Sequence, residues 1–175
     1  MAKLSLSKKR ILFAAVIVLG VILDQLTKAL TVAYLKPIRS YPLWEGVFHF
    51  TYVENRGAAF GMLAGSRWVF IVFSTVAILV LGVYLFWGRS YFSDKQEDGS
   101  YPAIPLFSGI SLAMIVSGGI GNMIDRLALG YVVDFFDFTL INFAVFNVAD
   151  IFVTVGACCL LLSLLIPIVS AAKKK

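Results

Sequence analysis

The chain has 175 residues, of which 60% are hydrophobic and 14% charged, which is too apolar for an ordinary soluble domain of this length. Its single histidine excludes most zinc sites and any catalytic triad that uses more than one histidine. The formal net charge is +5, but the basic residues are dispersed: of the 15, four precede the first apolar run and three follow the last. They form no single patch, so nucleic-acid binding is not expected.

Four apolar segments are long enough to cross a bilayer, which takes about 20 helical residues. The first, Lys9–Leu35, follows a basic start but has no small-x-small cleavage pattern, so we predict a retained helix. The second is Trp68–Gly88, and the third is Pro102–Ile124, whose glycines favour close helix packing in lipid. The fourth, Ile151–Ala172, is predicted to begin a turn earlier. The predicted spans are about residues 9–35, 68–88, 102–126 and 147–170.

Four spans place both termini on one side, and the flanking lysines predict that this side is the cytoplasm. The polar segment Arg89–Tyr101 is then a cytoplasmic loop, and Lys36–Arg67 and Leu127–Phe146 lie outside. In the first outer loop, Val47–Val53 alternates as a strand does, and Asn55-Arg56-Gly57 indicates a turn. The sequence therefore predicts one domain, residues 1–175: an all-α membrane protein with four transmembrane helices. A small extracytoplasmic β-sheet, about residues 40–62, is predicted between helices 1 and 2.

The carboxylates are the most informative side chains, because several lie inside or at the edges of the apolar segments. These residues are Asp24, Asp125, Asp134 and Asp150. An ionisable group at membrane depth is costly and is a candidate functional residue by default. Asp24 and Lys28 are four residues apart, which predicts an ion pair on one helix face. Asn122, Asp125 and Arg126 also share a helix face, which favours a polar network over a single pair.

Two of these acids suggest a specific chemistry. Asp134 lies among valines and phenylalanines, where poor solvation raises the pKa of a carboxyl group. Asp150 begins the fourth helix, three residues after Asn147, a candidate N-cap. If the two carboxyls approach within about 3 Å, repulsion keeps one protonated, so one acts as base on a water and the other as acid on a carbonyl. On spacing alone, Asp137 could replace Asp134 as the partner of Asp150, and the residue pattern does not distinguish the two.

Other interpretations use the same residues. The segment Glu54–Gly61 is either a solvated turn or a site where Asn55 and nearby backbone groups bind an extended peptide. Membrane acids also serve proton relays, so a proton-coupled transporter or channel component is the alternative function. Against it, the acids gather near one predicted surface and the chain has no inverted repeat. A non-catalytic membrane scaffold with buried ion pairs is a third possibility.

Five stretches, in the right order on a four-span chain, resemble the lipoprotein signal peptidase family, the type II signal peptidases of bacteria. They are Asp24–Lys28 (DQLTK), Glu54–Phe60 (ENRGAAF), Gly118–Arg126, Val132–Phe135 (VVDF) and Phe146–Asp150 (FNVAD). The resemblance implies an intramembrane aspartic endopeptidase. Such an enzyme removes the signal peptide from diacylglyceryl-modified prolipoproteins, cutting just before the lipidated cysteine. By motif position the catalytic pair is Asp134 and Asp150, which favours Asp134 over Asp137.

The resemblance also implies supporting residues and partners. Residues expected to bind substrate or support the site are Asp24, Lys28, Asn55, Gly57, Asn122, Asp125, Arg126 and Asn147. No metal and no other cofactor are expected. The expected partners are prolipoprotein substrates, membrane lipid and cyclic peptide inhibitors of the globomycin type. The protein is expected to be a monomer in the bacterial cytoplasmic (inner) membrane, with its active site near the outer face.

Overall fold

The helices of the protein follow its apolar segments. The computed structural model describes residues 4–57, 67–88 and 104–172. Helix α1 (Leu6–Leu30) continues into a π-helical turn (Thr31–Leu35), and α2 spans Arg67–Trp87. Helix α3 spans Leu106–Ala128 and α4 spans Val148–Ala172. All four are long and apolar enough to cross a membrane, which confirms the predicted four-helix architecture. The predicted cytoplasmic loop, residues 89–101, lies outside the described residues.

Helix α3 is the centre of the bundle, because it packs against α1, α2 and α4. Its apolar residues Leu112, Ala113 and Val116 are buried, whereas most large apolar side chains of α2 are exposed, as expected for a lipid-facing helix. Close approach to α4 depends on Gly118. A Cβ atom there would overlap the backbone carbonyl oxygen of Ala149. Gly118 therefore lets the two helices meet backbone to backbone, as is common in membranes.

A three-stranded antiparallel sheet lies at the end of the bundle where α1 ends and α4 begins, with the strand order β1-β2-β3. Strand β1 is Ser40–Trp44, β2 is Phe48–Asn55 and β3 is Val132–Asp137. The predicted small sheet is thus confirmed. Strand β2 extends further than predicted, because Asn55 pairs with Val132 as its last residue and is not part of a turn.

The third strand comes from the connection between α3 and α4, where the sequence analysis assigned no strand. The sheet is therefore not built only from the segment between the first two helices. The physical reason is burial: the first four residues of β3 are all buried, so they lack the apolar–polar alternation that marks a half-exposed strand. The sequence VVDF gives a nearly continuous apolar run with one acid in it.

An apolar cluster joins the sheet to the helices. Its buried members come from the end of the π-helical turn, from β2, from β3 and from the first residue of α4. They are Leu35, Tyr52, Val133, Phe135 and Val148. Because this cluster joins residues from four elements, it holds β2, β3 and the start of α4 side by side against the end of the π-helical turn. Asn55, Asp134 and Asp150 of the candidate site lie on β2, β3 and α4.

Candidate active site

A cavity of about 450 Å³ lies between the end of β2, the first half of β3, the end of α3 and the first turns of α4. Both Asp134 of β3 and Asp150 of α4 line it. The other polar residues of its wall are Asn55, Asn122, Arg126 and Thr154. Phenylalanine and valine side chains from the β3–α4 connection complete the wall, so two carboxylates share a largely apolar chamber.

Asp134 is 1% exposed, and two asparagine amides bind its carboxylate. Asn147 Nδ2 donates to Oδ1 at 2.6 Å, and Asn55 Nδ2 donates to Oδ2 at 2.8 Å. Burial, and next the nearby charge of Asp150, raise the pKa of Asp134 to about 7, although both hydrogen bonds act in the opposite direction. Near neutral pH this carboxyl group therefore holds a proton for a large part of the time.

Asp150 is held by the N-terminal cap of α4. Its backbone N–H donates to Asn147 Oδ1 at 3.0 Å, and its Oδ2 accepts from the backbone N–H of Asn147 at 3.1 Å. This reciprocal pair has the form of a capping box, so Asn147 caps the helix as the sequence predicted. The other carboxylate oxygen, Oδ1, accepts from Asn122 Nδ2 at 2.8 Å. These bonds therefore fix the side-chain rotamer of Asp150 in the first turn of α4.

The amide of Asn147 connects the two aspartates. Besides Asp134, its Nδ2 lies 3.1 Å from Asn122 Oδ1, while its Oδ1 receives the backbone N–H of Asp150. Asn122 is oriented in turn by Lys28, whose Nζ donates to Asn122 Oδ1 at 2.9 Å. Because an ammonium group only donates, Asn122 must present its oxygen to Lys28 and its Nδ2 to Asp150.

Lys28 lies between two buried carboxylates below the cavity. Its Nζ is 2.9 Å from Asp24 Oδ2 and 3.1 Å from Asp125 Oδ2, and the three side chains are at most 4% exposed. The predicted Asp24–Lys28 ion pair is confirmed. Lys28 is also the ion-pair partner of Asp125. The network also includes Gln25, which the sequence analysis missed: its Nε2 donates to Asp24 at 3.1 Å and to Asp125 at 3.0 Å.

The two buried carboxylates also bind the backbone of the elements above them. Asp24 Oδ1 accepts from the N–H of Ala149 at 3.0 Å, and Asp125 Oδ2 accepts from the N–H of Val133 at 3.0 Å. Ala149 is in the first turn of α4, where N–H groups have no partner within the helix. Thus α1 and α3 hold the residues next to Asp134 and Asp150 in place.

The rim of the cavity is formed where β2 ends. The N–H of Gly57 donates to Asn55 Oδ1 at 3.0 Å, and Arg126 Nη2 donates to the carbonyl oxygen of Gly57 at 3.4 Å. The guanidinium of Arg126 also lies 5.2 Å from the centre of the Phe70 ring on α2. These bonds hold Gly57 in the wall of the cavity. The rest of the ENRGAAFG motif, residues 58–61, lies outside the described residues.

Asp137 occupies a different environment from Asp134. Its Oδ2 accepts from Thr51 Oγ1 at 2.7 Å, within the sheet. Asp137 lies three positions after Asp134, and because side chains alternate along a strand, an odd offset places the two on opposite faces. Asp137 is not among the described residues that line the cavity. Spacing in the sequence left Asp134 and Asp137 equivalent. The pleat of β3 places Asp134, and not Asp137, among the described residues of the cavity wall.

The fold and the site together define a membrane protein with four spanning helices and two carboxylates in one cavity. The family model described as Signal peptidase (SPase) II matches residues 16–166, most of the chain. The chain belongs to this family, and membership makes it a peptidase of the bacterial membrane.

Similar proteins cover the same residues. The chain is 50% identical over 137 residues to a lipoprotein signal peptidase of Caldanaerobacter subterraneus subsp. tengcongensis, covering 78% of this chain and 84% of that protein. It is 41% identical over 145 residues to a lipoprotein signal peptidase of Clostridioides difficile, covering 83% and 88%. A bacterial membrane enzyme solved by the in meso method at 2.3 Å resolution superposes with a TM-score of 0.73 at 28% identity, covering 87% of each chain.

Proposed function

We propose that this protein is an aspartic endopeptidase that removes the signal peptide from diacylglyceryl-modified prolipoproteins, cutting before the lipidated cysteine. The observation that carries the proposal is that Asp134 and Asp150 line one cavity, connected by the amides of Asn147 and Asn122. The similar lipoprotein signal peptidases support the substrate class.

In the proposed mechanism the two carboxyl groups share one proton. The ionised carboxylate takes a proton from a water molecule as the water oxygen attacks the scissile carbonyl carbon. The protonated carboxyl donates to the carbonyl oxygen, which gives a neutral tetrahedral diol. The C–N bond then breaks as the leaving nitrogen receives a proton from one carboxyl, and the other takes the proton of a diol hydroxyl. General acid–base catalysis of this kind contributes about 10²–10⁴-fold.

The surroundings of Asp134 suit it to this role. With its pKa raised to about 7, its carboxyl group can hold or release a proton at neutral pH. Asp150 is partly exposed, so water can reach the pair from the cavity. We assign the shared proton to the pair and not to one residue, because interacting carboxyls titrate together.

The remaining site residues take two proposed roles. Asn55, Gly57 and Arg126 form the rim and position the substrate peptide, whose backbone can bond to their polar groups. Asn122 and Asn147 orient the carboxylates, and the buried network of Asp24, Lys28 and Asp125 supports those amides. Holding the peptide next to the attacking water supplies a further part of the rate.

The proposal includes the setting of the enzyme. The protein is proposed to be a monomer in the cytoplasmic membrane, with both termini in the cytoplasm and the cavity near the outer face. The diacylglyceryl group of the substrate then remains in the outer leaflet while the peptide enters the cavity. Cyclic peptides of the globomycin type are expected to inhibit by occupying the same cavity.

The clustering of the acids argues against a proton-coupled transporter. Asp24 lies in the last two turns of α1, Asp125 at the end of α3 and Asp150 in the first turn of α4. All therefore lie at one end of the bundle, joined by hydrogen bonds. A proton relay across the membrane needs titratable groups at successive depths.

The direct test compares two substrates with the purified protein in detergent. A prolipoprotein carrying the diacylglyceryl group is expected to be cut just before the modified cysteine, which mass spectrometry of both products identifies. The matched control is the same prolipoprotein without the lipid, which is expected to remain intact. Equal cleavage of both would contradict the proposed substrate class, and cleavage of neither would contradict the proposed activity.

A further inference from the structure

A second polar site lies at the opposite end of α1 from the aspartates. Arg10 and Asp24 are separated by 14 positions, or about 21 Å along a helix that rises 1.5 Å per residue. Near Arg10 there is a small cavity of about 50 Å³ between the start of α1, the end of α2 and the segment before α3. Its wall includes Lys9, Arg10, Phe86, Trp87 and Ile104. The site is thus independent of the peptidase cavity.

Arg10, which lines this cavity, has an unsatisfied donor. Its Nε is buried, and within residues 4–57, 67–88 and 104–172 it has no hydrogen-bond partner. Lys9 Nζ donates to the carbonyl oxygen of Ile104 at 3.2 Å, which uses one of its three N–H donors. A buried, unpaired N–H on a cation is unfavourable, so a group with acceptor oxygens and negative charge would stabilise this end of the bundle.

The surroundings identify the chemistry of that group. Ile11 and Trp87 are each 71% exposed, as expected for side chains that face lipid, so the cavity opens at the edge of the apolar belt. Its volume of about 50 Å³ accommodates a small charged group and not an acyl chain. Basic pockets between membrane helices on the cytoplasmic side bind anionic headgroups.

We infer that the Lys9–Arg10 cavity binds the phosphate of an anionic phospholipid. The phosphate oxygens accept from Arg10 Nε and from Lys9 Nζ, while the acyl chains lie along the exposed apolar faces of α1 and α2. The bound lipid joins the start of α1 to α2 and to the segment that enters α3. Its effect is on the stability of the helix bundle and not on the chemistry at Asp134 and Asp150.

The test measures thermal unfolding of the full chain in a neutral detergent as phosphatidylglycerol is added. The melting temperature of the wild type is expected to rise and saturate, because a ligand that binds only the folded state stabilises it. Diacylglycerol with the same acyl chains lacks the phosphate and is expected to have little effect. Inorganic phosphate alone is expected to stabilise far less, since it lacks the chains.

Two variants and one control make the result specific. Arg10→Gln, and also Arg10→Lys, which keeps the charge but lacks the Nε donor, are expected to weaken the apparent affinity about tenfold or more. Lys8→Gln removes the same charge from an exposed position of the same turn and is expected to retain the wild-type response. An equal loss of apparent affinity in Lys8→Gln would mean that the lipid binds by general electrostatic attraction, which would overturn the proposed site. Absence of any response in the wild type would also overturn it.

Discussion

Among the residues that the structure describes, neutral amides, and not cations, form the side-chain contacts of both aspartates of the cavity. Asn55 and Asn147 donate to Asp134, and Asn122 donates to Asp150. A lysine or arginine in direct contact would strongly favour the ionised form of both carboxyls, which would remove the acid from an acid–base pair. An amide also orients a carboxylate, but it favours the ionised form less strongly than a cation does. Among the described residues, the nearby cations bind other groups: the buried Lys28 contacts Asn122. The half-buried Arg126 in the cavity wall donates to the carbonyl oxygens of Asn122 and Gly57.

The first prediction concerns pH. Because burial and Asp150 raise the pKa of Asp134 to about 7, the shared proton is lost as pH rises through that value. We expect kcat/KM to fall on the alkaline side with an apparent pKa near 7. Asn55→Leu removes a hydrogen bond that lowers this pKa, so the alkaline limb should move to higher pH by about half a unit. A profile flat up to pH 9, or a limb that moves to lower pH in Asn55→Leu, would contradict this assignment.

The second prediction compares two lysines that form ion pairs. Lys28 pairs with Asp24 and is 4% exposed, whereas Lys36 pairs with Glu54 and is 43% exposed. Lys28→Met leaves two buried carboxylates without their cation and should lower the free energy of unfolding by about 3–5 kcal/mol. The matched variant Lys36→Met should change the melting temperature little, because exposed pairs contribute little. Thermal unfolding in detergent measures both, and equal losses would show that the buried network is not what stabilises the fold.

The elements of the protein converge at the first turn of α4. That turn has three partners: the side chain of Asn147, the carboxylate of Asp150 and, from α1, the carboxylate of Asp24. Its N–H groups are the ones that a helix leaves unpaired, and carboxylates are favourable there. The capping that makes α4 a stable helix is thus the same set of bonds that positions Asp150.

The third prediction follows from how closely α3 approaches α4. A Cβ at Gly118 would overlap the carbonyl oxygen of Ala149, and because this is a backbone atom, no change of side-chain rotamer can relieve the overlap. Gly118→Ala should therefore push α4 away, lower the melting temperature and reduce cleavage at least about tenfold by displacing Asp150. Gly82→Ala is the matched control, because a Cβ there meets no described atom within 4 Å. It should be neutral or slightly stabilising, since alanine is the better helix former. Wild-type activity in Gly118→Ala would contradict the packing account.

At the scale of the whole molecule, apolar length and charge were sufficient to predict the four helices. The Asp24–Lys28 pair and the Asn147 cap were also predictable, because their partners are three or four residues apart on one helix. Contacts between elements were not. Gln25 touches Asp125 across 100 positions, and β3 pairs with β2 across the length of two helices. Local patterns contain no information on such partners.

The fourth prediction concerns the orientation in the membrane. Glu45 lies in the exposed turn between β1 and β2, and Ser5 precedes α1. After replacement of Cys158 and Cys159, Glu45→Cys should react with a membrane-impermeant maleimide in cells whose cytoplasmic membrane is intact and accessible. Ser5→Cys should react only after the membrane is permeabilised. The reverse pattern would place the cavity on the cytoplasmic side.

The most direct test of the central claim is a comparison of three aspartate variants in cleavage of a diacylglyceryl-modified prolipoprotein. Asp134→Asn and Asp150→Asn should each abolish detectable cleavage while retaining the wild-type melting temperature within a few degrees. Asp137→Asn makes the same chemical change on the same strand, outside the cavity, and should retain most of the activity. Wild-type cleavage by folded Asp134→Asn or Asp150→Asn protein would contradict the account, and inactivity of Asp137→Asn alone would move the catalytic role to the other face of β3.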